Sequence, residues 1–236
     1  MKRILQIALV AFSLSVLANA DSFVVIGSRA DQNPTDIIDW SQLGGAITNG
    51  IASPQSVVTF NLNNATVGNT NNTTFNRVDQ GNGWNGNFDF GETLIWTGAG
   101  GTTGTGGPGP MALSLQTAVQ SFGFSIQADE FGAFGVDVKA YDSSNNLLVD
   151  QTFSGVSNSL GNGSALFVGL GDTTGANVSE ILISTTSADS SFTNDFAIDD
   201  PSFTYGTTST VPEPRSMAVL LSALLGVAGV VRRFRK

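Results

Sequence analysis

The side chains able to do chemistry in this chain are nearly all oxygens. There is no His and no Cys, which excludes Ser-His-Asp and Cys-His catalysis, histidine metal sites and thiol redox work. Asp129-Glu130 is the nearest approach to the carboxylate pair of a glycosidase. Adjacent residues on a strand point to opposite faces and Gly132 follows closely, so the pair reads as a solvated turn and the chain is expected not to be an enzyme. Asp195, Asp199 and Asp200, with Asn194 beside them, form the set best suited to a metal. The metal would be calcium, which takes carboxylate, amide and carbonyl oxygens. On an unbroken strand Asp195 and Asp199 share one face and Asp200 takes the other. A polar strand face and a turn account for the same residues without any cation, and there is no EF-hand loop.

Tryptophans are the other candidates, because a flat exposed ring is a platform for sugars. Trp84 stands in Gly81-Asn82-Gly83-Trp84-Asn85-Gly86-Asn87, where neighbouring amides would bind hydroxyls. The sugar-binding reading rests on it. A ring folded back as a plug over the core fits the same loop. Trp96 ends the apolar run Thr93–Trp96 and is expected in the core.

What must position these residues is a set of strands. Phe122, Phe124 and Ile126 alternate with small or polar neighbours, and Phe134, Val136, Val138 and Ala140 do the same. Asp142-Ser-Ser-Asn-Asn146 supplies turn residues for a hairpin, with Leu147–Phe153 returning antiparallel. Further strands are expected at Phe23–Ile26, Val57–Phe60, Thr93–Trp96, Ala165–Leu170, Val178–Ser184 and Phe196–Tyr205. In the last, Pro201 removes a donor and demands a bulge or an edge. Asp36–Leu43 reads as a short helical turn or loop, and Ala65–Gly86 as a stretch dominated by Asn, Thr and Gly. Residues 98–110 are a Gly/Pro-rich surface loop rather than a domain linker. The expected fold is all-β, an antiparallel two-sheet sandwich of jelly-roll or lectin-like type, occupying residues 21–210 as one extracellular domain.

Both ends of the chain differ from this middle. Met1-Lys2-Arg3 is a basic start, Ile4–Leu17 is apolar, and Ala18 and Ala20 are the small residues of a cleavage site. Residues 1–20 therefore read as a secretory signal peptide. Val211-Pro212-Glu213-Pro214 stays extended because proline breaks helices. Met217–Val231 is apolar apart from Ser222, and Arg232, Arg233, Arg235 and Lys236 form a basic stop. As a helix, Ser216–Phe234 spans about 28 Å, enough for a thin bilayer with snorkelling arginines. The basic end stays cytoplasmic, which leaves everything before Val211 outside.

With the two ends set aside, only Arg29, Arg77 and Lys139 are basic, while every acid except Glu213 lies between residues 21 and 210. Such an acidic exterior disfavours nucleic acid, which needs clustered Lys and Arg. Without cysteine there is no disulfide framework, so a packed core must hold the domain.

The tail, with its Val211-Pro212-Glu213-Pro214 motif, apolar span and basic cluster in order, resembles the PEP-CTERM sorting signal. That resemblance implies a Gram-negative bacterial protein handled by exosortase, a membrane-embedded transpeptidase-like enzyme. It also implies an inner-membrane-anchored precursor that later reaches the cell surface or medium, where exopolysaccharide and biofilm matrix are the associated partners. More loosely, Phe134–Asp142, Gly163–Gly169 and Asp195-Phe-Ala-Ile-Asp-Asp200 resemble the β-sandwich region common in such proteins. The last stretch is similar to the closing strand of lectin-like and carbohydrate-binding sandwiches. Two functions are therefore expected to compete: a noncatalytic surface or extracellular-matrix protein, and a carbohydrate-binding or calcium-dependent adhesion module on the same export route.

Overall fold

Alternating apolar and polar residues become strands wherever one face can be buried against a second sheet. The computed structural model describes residues 22–71, 74–98 and 109–206. The signal peptide with Ala18 and Ala20, most of the 98–110 loop, Val211-Pro212-Glu213-Pro214, the apolar span and the basic stop lie outside the described residues. Among the described residues no helix is long and apolar enough to cross a membrane.

The chain opens with β1 (Phe23–Ile26), a one-turn helix α1 (Arg29–Gln32), β2 (Asp36–Ile37) and a 3-10 turn at Trp40–Leu43. The Ser28 side chain caps α1 by accepting from the Asp31 amide at 3.1 Å, and Asn33 ends it in the left-handed region at φ 48°. Next come β3 (Ile47–Ala52), β4 (Gln55–Val58), β5 (Asn64–Asn69), β6 (Thr74–Gln80), β7 (Gly83–Trp84) and β8 (Thr93–Trp96). The second half supplies β9 (Met111–Val119), β10 (Ser121–Ala128), β11 (Gly132–Tyr141), β12 (Leu147–Ser157), β13 (Leu166–Asp172), β14 (Val178–Ser187), β15 (Phe196–Ile198) and β16 (Ser202–Thr204).

These strands form two sheets. The larger runs β1-β13-β10-β15-β8-β6-β3, with β16 in line with β15 along β10, β2 beside β16, and β7 parallel to β6. The smaller is wholly antiparallel in the order β12-β11-β14-β9-β5-β4. Between them lies one core, in which Phe122, Phe124, Phe196 and Phe203 of the larger sheet meet Leu113, Val136, Val138 and Ile181 of the smaller. Each such side chain contributes about 1.5–3 kcal/mol by leaving water. The all-β sandwich expected from the sequence is thus what forms.

Three segments depart from, or go beyond, the reading of the sequence. Ala65–Gly86 carries β5, β6 and β7 despite its Asn, Thr and Gly content, because Ala65, Val67, Phe75 and Val78 still alternate into apolar clusters while Asn69, Asn76 and Gln80 are buried with hydrogen bonds. Phe196–Tyr205 is not one strand but β15 and β16 separated at Asp199–Pro201. At Val57–Phe60 the strand stops at Val58, and Phe60 is 82% exposed.

The sheets differ in how their outer faces are treated. On the larger sheet a second apolar cluster of Val78, Trp84, Phe88, Leu94, Trp96 and Ala197 covers one region. Helix α1 lies over another, its Gln32 bonded to the Ser202 carbonyl at 2.9 Å. This double covering explains why Leu94, Ile95 and Trp96 are all buried without alternation. On the smaller sheet the outward positions of β5 and β9, including Thr66, Ser114 and Gln116, keep contact with solvent.

Candidate functional site

The carboxylates singled out in the sequence are placed by a bulge. Ile126 faces Ile198 and Gly123 faces Ser202, so two residues of β10 lie opposite three, Asp199, Asp200 and Pro201. The extra residue accommodates the proline, which has no amide to offer the ladder. Asp199 repairs the gap with its own side chain: its amide donates to the Ser125 carbonyl at 3.0 Å, and the Ser125 amide donates back to Asp199 Oδ1 at 2.6 Å.

The bulge then ties the N-terminal segment to the sheet. Arg29 Nη2 meets Asp199 Oδ2 at 2.7 Å and Arg29 Nη1 donates to the Asp200 carbonyl at 2.8 Å. Trp40 is fully buried, with Nε1 donating to the Asp199 carbonyl at 2.8 Å and its amide donating to Asp200 Oδ1 at 3.0 Å. At the other end of β15, Asp195 Oδ1 accepts from Trp96 Nε1 at 2.7 Å. Asp195 also crowds Gly98, where any Cβ would collide with its carboxylate. Both ends of the Gly-rich loop meet here, since the Gly109 amide donates to the Asn194 carbonyl at 3.0 Å.

Asp195 and Asp199 do flank β15 on the parity expected, but each has its own partners. No group of three acidic side chains converges as a metal would require among the described residues. Arg29, Trp40 and Trp96 occupy the carboxylates.

Burial raises the pKa of these acids. Asp200 is pushed up to about 7, chiefly by desolvation against the opposing pull of the Trp40 amide, and Asp195 to about 6, by desolvation against the Trp96 hydrogen bond. Burial also pushes Asp199 up, opposed by Arg29 and Ser125. A carboxyl whose folded pKa is raised holds its proton in the native state after the unfolded chain has released its own near 3.8. Stability should therefore fall as pH rises from about 4 towards 7. The exposed acids with lowered pKa, Asp142, Asp150 and Asp189, act in the opposite sense below that window. Thermal melts are expected to give a higher midpoint at pH 5 than at pH 7.5, with Asp200→Asn flattening the difference; a midpoint that climbs towards pH 7.5 contradicts this.

Trp84 is folded back as a plug, one of the two readings its loop allowed. It is only 6% exposed and packs edge-on against Trp96, with ring centroids 5.5 Å apart at 67°. Burying this ring over the outer face of the larger sheet gains more than leaving it in water. It plugs that face and offers no platform to a sugar. Asp129 and Glu130 sit in a bend after β10: the Asp129 amide donates to the Asp195 carbonyl, and Glu130 Oε2 accepts from the Asp189 amide at 3.0 Å.

A feature not singled out from the sequence lies on the outer face of the smaller sheet. Three depressions follow one another along β9. The first is lined by Pro54, Gly68 and Ala112, with a volume of about 190 Å³. The second, of about 440 Å³, is lined by Ser56, Asn64, Thr66, Ser114 and Gln116. The third, of about 450 Å³, lies between Gln116, Ala118, Asn177, Ser179 and the Asp142–Ser143 turn. Shared lining residues join them: Thr66 and Ser114 the first to the second, Gln116 the second to the third. Small residues give the groove depth, and the irregular pairing of β9 with β14 between Val178 and Glu180 opens its far end. The alternation Met111-Ala-Leu-Ser-Leu-Gln116 was the available sequence signal.

No family model matches the chain, and no curated protein matches it. Among solved structures, a DUF4465 family protein from Bacteroides caccae is similar over 80% of this chain and 96% of that chain, at 13% identity and a TM-score of 0.37.

Proposed function

We propose that this chain is an exported, noncatalytic cell-surface or extracellular-matrix protein, sorted by an exosortase and associated with exopolysaccharide. The observation that carries this reading is the tail, where a Pro-Glu-Pro motif, an apolar run and a basic cluster follow in order over residues 211–236. Its counterpart is the basic-then-apolar start with small residues at Ala18 and Ala20. On this account the precursor rests in the inner membrane through its tail, and the jelly-roll-like sandwich of residues 21–210 is the part delivered outside. The lack of His and Cys, together with carboxylates engaged by Arg29, Trp40 and Trp96, supports a role without catalysis.

The test is direct. In a host with the sorting enzyme, the mature chain is expected to end near the Pro-Glu-Pro motif by intact mass. Replacing Pro212, Glu213 and Pro214 with alanine should leave it membrane-bound with its full C-terminus. Unaltered processing of that variant defeats the reading. A carbohydrate-binding module on the same route is the second reading, favoured by the solvent-facing polar groove of the smaller sheet.

A further inference from the structure

We infer that the groove along β5 and β9 is a binding site for an uncharged polysaccharide strand, lying parallel to β9 from Ala112 to Ala118. The inference deepens the second reading above and rests on it. Charge is the first argument. In a chain with pI near 4.2 and net charge −9, the groove is lined by hydroxyls, amides and small apolar groups. Its one charged lining residue, Asp142, is already engaged: Oδ1 accepts from the Ser144 and Asn146 amides at 2.8 Å, and Oδ2 from Asn146 Nδ2 at 2.8 Å. With no Lys or Arg among its described lining residues the groove has nothing to hold a phosphate or an acidic polymer, and Asp142 and Glu180, the latter paired with Ser114, add negative charge at its edge. The surrounding acidity repels acidic polymers, and an uncharged chain of hydroxyls is the ligand that matches.

Geometry is the second argument. Asn64 Nδ2 donates to Gln116 Oε1 at 2.6 Å across the β5–β9 pair, both side chains lying exposed on this face. Their remaining groups, the Asn64 carbonyl and the Gln116 amide NH2, are an adjacent acceptor and donor of the kind that bridges vicinal hydroxyls. Ser56, Thr66 and Ser114 form a second polar row, running across β4, β5 and β9, with Thr66 opposite both Ser56 and Ser114. Six residues of strand give the groove a length of about 20 Å. It therefore suits a polymer of several sugar units rather than a single ring. Gly68 opposite Ala112 keeps one end open for the strand to pass.

The test uses the full chain purified in detergent micelles and a panel of neutral oligosaccharides built from glucose, galactose, mannose and N-acetylglucosamine, with polygalacturonate as the acidic comparison. Saturable binding of at least one neutral oligosaccharide is expected, strengthening with length, and none of polygalacturonate. Gln116→Ala should weaken it about tenfold by removing one anchored hydrogen-bonding group, and Ser114→Trp should abolish it by filling the groove. Gln116 is exposed, so that variant keeps the readout if the tryptophan variant misfolds. No binding across the neutral panel, binding indifferent to Gln116→Ala, or preference for the acidic polymer each overturns the inference. Tail processing is read on the same preparations before detergent extraction. Binding lost with processing intact counts against the groove alone, and processing absent with binding intact counts against the sorting reading alone.

Discussion

Trp40→Ala is expected to destabilise the domain by about 4 kcal/mol, the largest effect of any single substitution considered. The indole is fully buried among core residues, and truncating a tryptophan of that kind costs about 3–5 kcal/mol through lost burial and the cavity left behind. The Asp199 carbonyl, which accepts from Trp40 Nε1, loses its partner in a buried site, so the effect should not sit at the low end. For a domain of this size each kcal/mol lowers the melting midpoint by about 2–4 °C, so a fall of roughly 8–16 °C is expected. Trp40→Phe separates the two contributions: it retains most of the ring volume and should cost about 1–2 kcal/mol for the hydrogen bond. Thermal and urea melts of the two variants decide the matter. A loss under about 1 kcal/mol for Trp40→Ala would mean that the segment before β3 is not held by this contact.

Arg29→Met should cost about 3 kcal/mol by a different route. It leaves Asp199, whose side chain is 7% exposed, without its counter-charge, and a buried carboxylate stripped of its partner is costlier than a missing pair. The Arg29 side chain is itself 34% exposed, which lets water approach one side of the pair and keeps the cost towards the lower end of that class. Adding Asp199→Asn to Arg29→Met removes the orphaned charge and is expected to recover at least half of the loss. The penalty of Arg29→Met should also shrink as pH is lowered, because a protonated Asp199 needs no cation. If the double variant is as unstable as the single one, the ion pair is not what matters and the bulge is held by Trp40 and the backbone alone.

Both predictions converge on Asp199, and the elements around it show how far the sequence could be read. The strong alternation in Phe122–Ile126 and Phe134–Ala140 gave the strands of the second half, since period-two burial needs no knowledge of a partner strand. Pro201 announced a bulge, because a residue without an amide cannot complete a ladder. Ala65–Gly86 was illegible for the opposite reason: Asn69, Asn76 and Gln80 are buried polar residues whose bonds run to Thr97, Gly98 and Gly86, and nothing local indicates that such partners exist. The partners of these carboxylates, Arg29 and Trp40, could not be read locally because they lie about 160–170 residues away in the chain.

By itself, then, the sequence determined the composition-level facts: an all-β core, no thiol or imidazole chemistry, an acidic middle, and two terminal segments of their own character, one basic then apolar and one apolar then basic. Each follows from residue type and short-range spacing. Tertiary structure alone decided which polar residues are free. Trp84 was withdrawn from solvent onto Trp96 because the outer face of the larger sheet had apolar surface to cover. Asn64 and Gln116 were brought side by side by the pairing of β5 with β9, fifty-two positions apart in the chain. Strand register is a long-range property, and it is the register that turns scattered hydroxyls and amides into a groove.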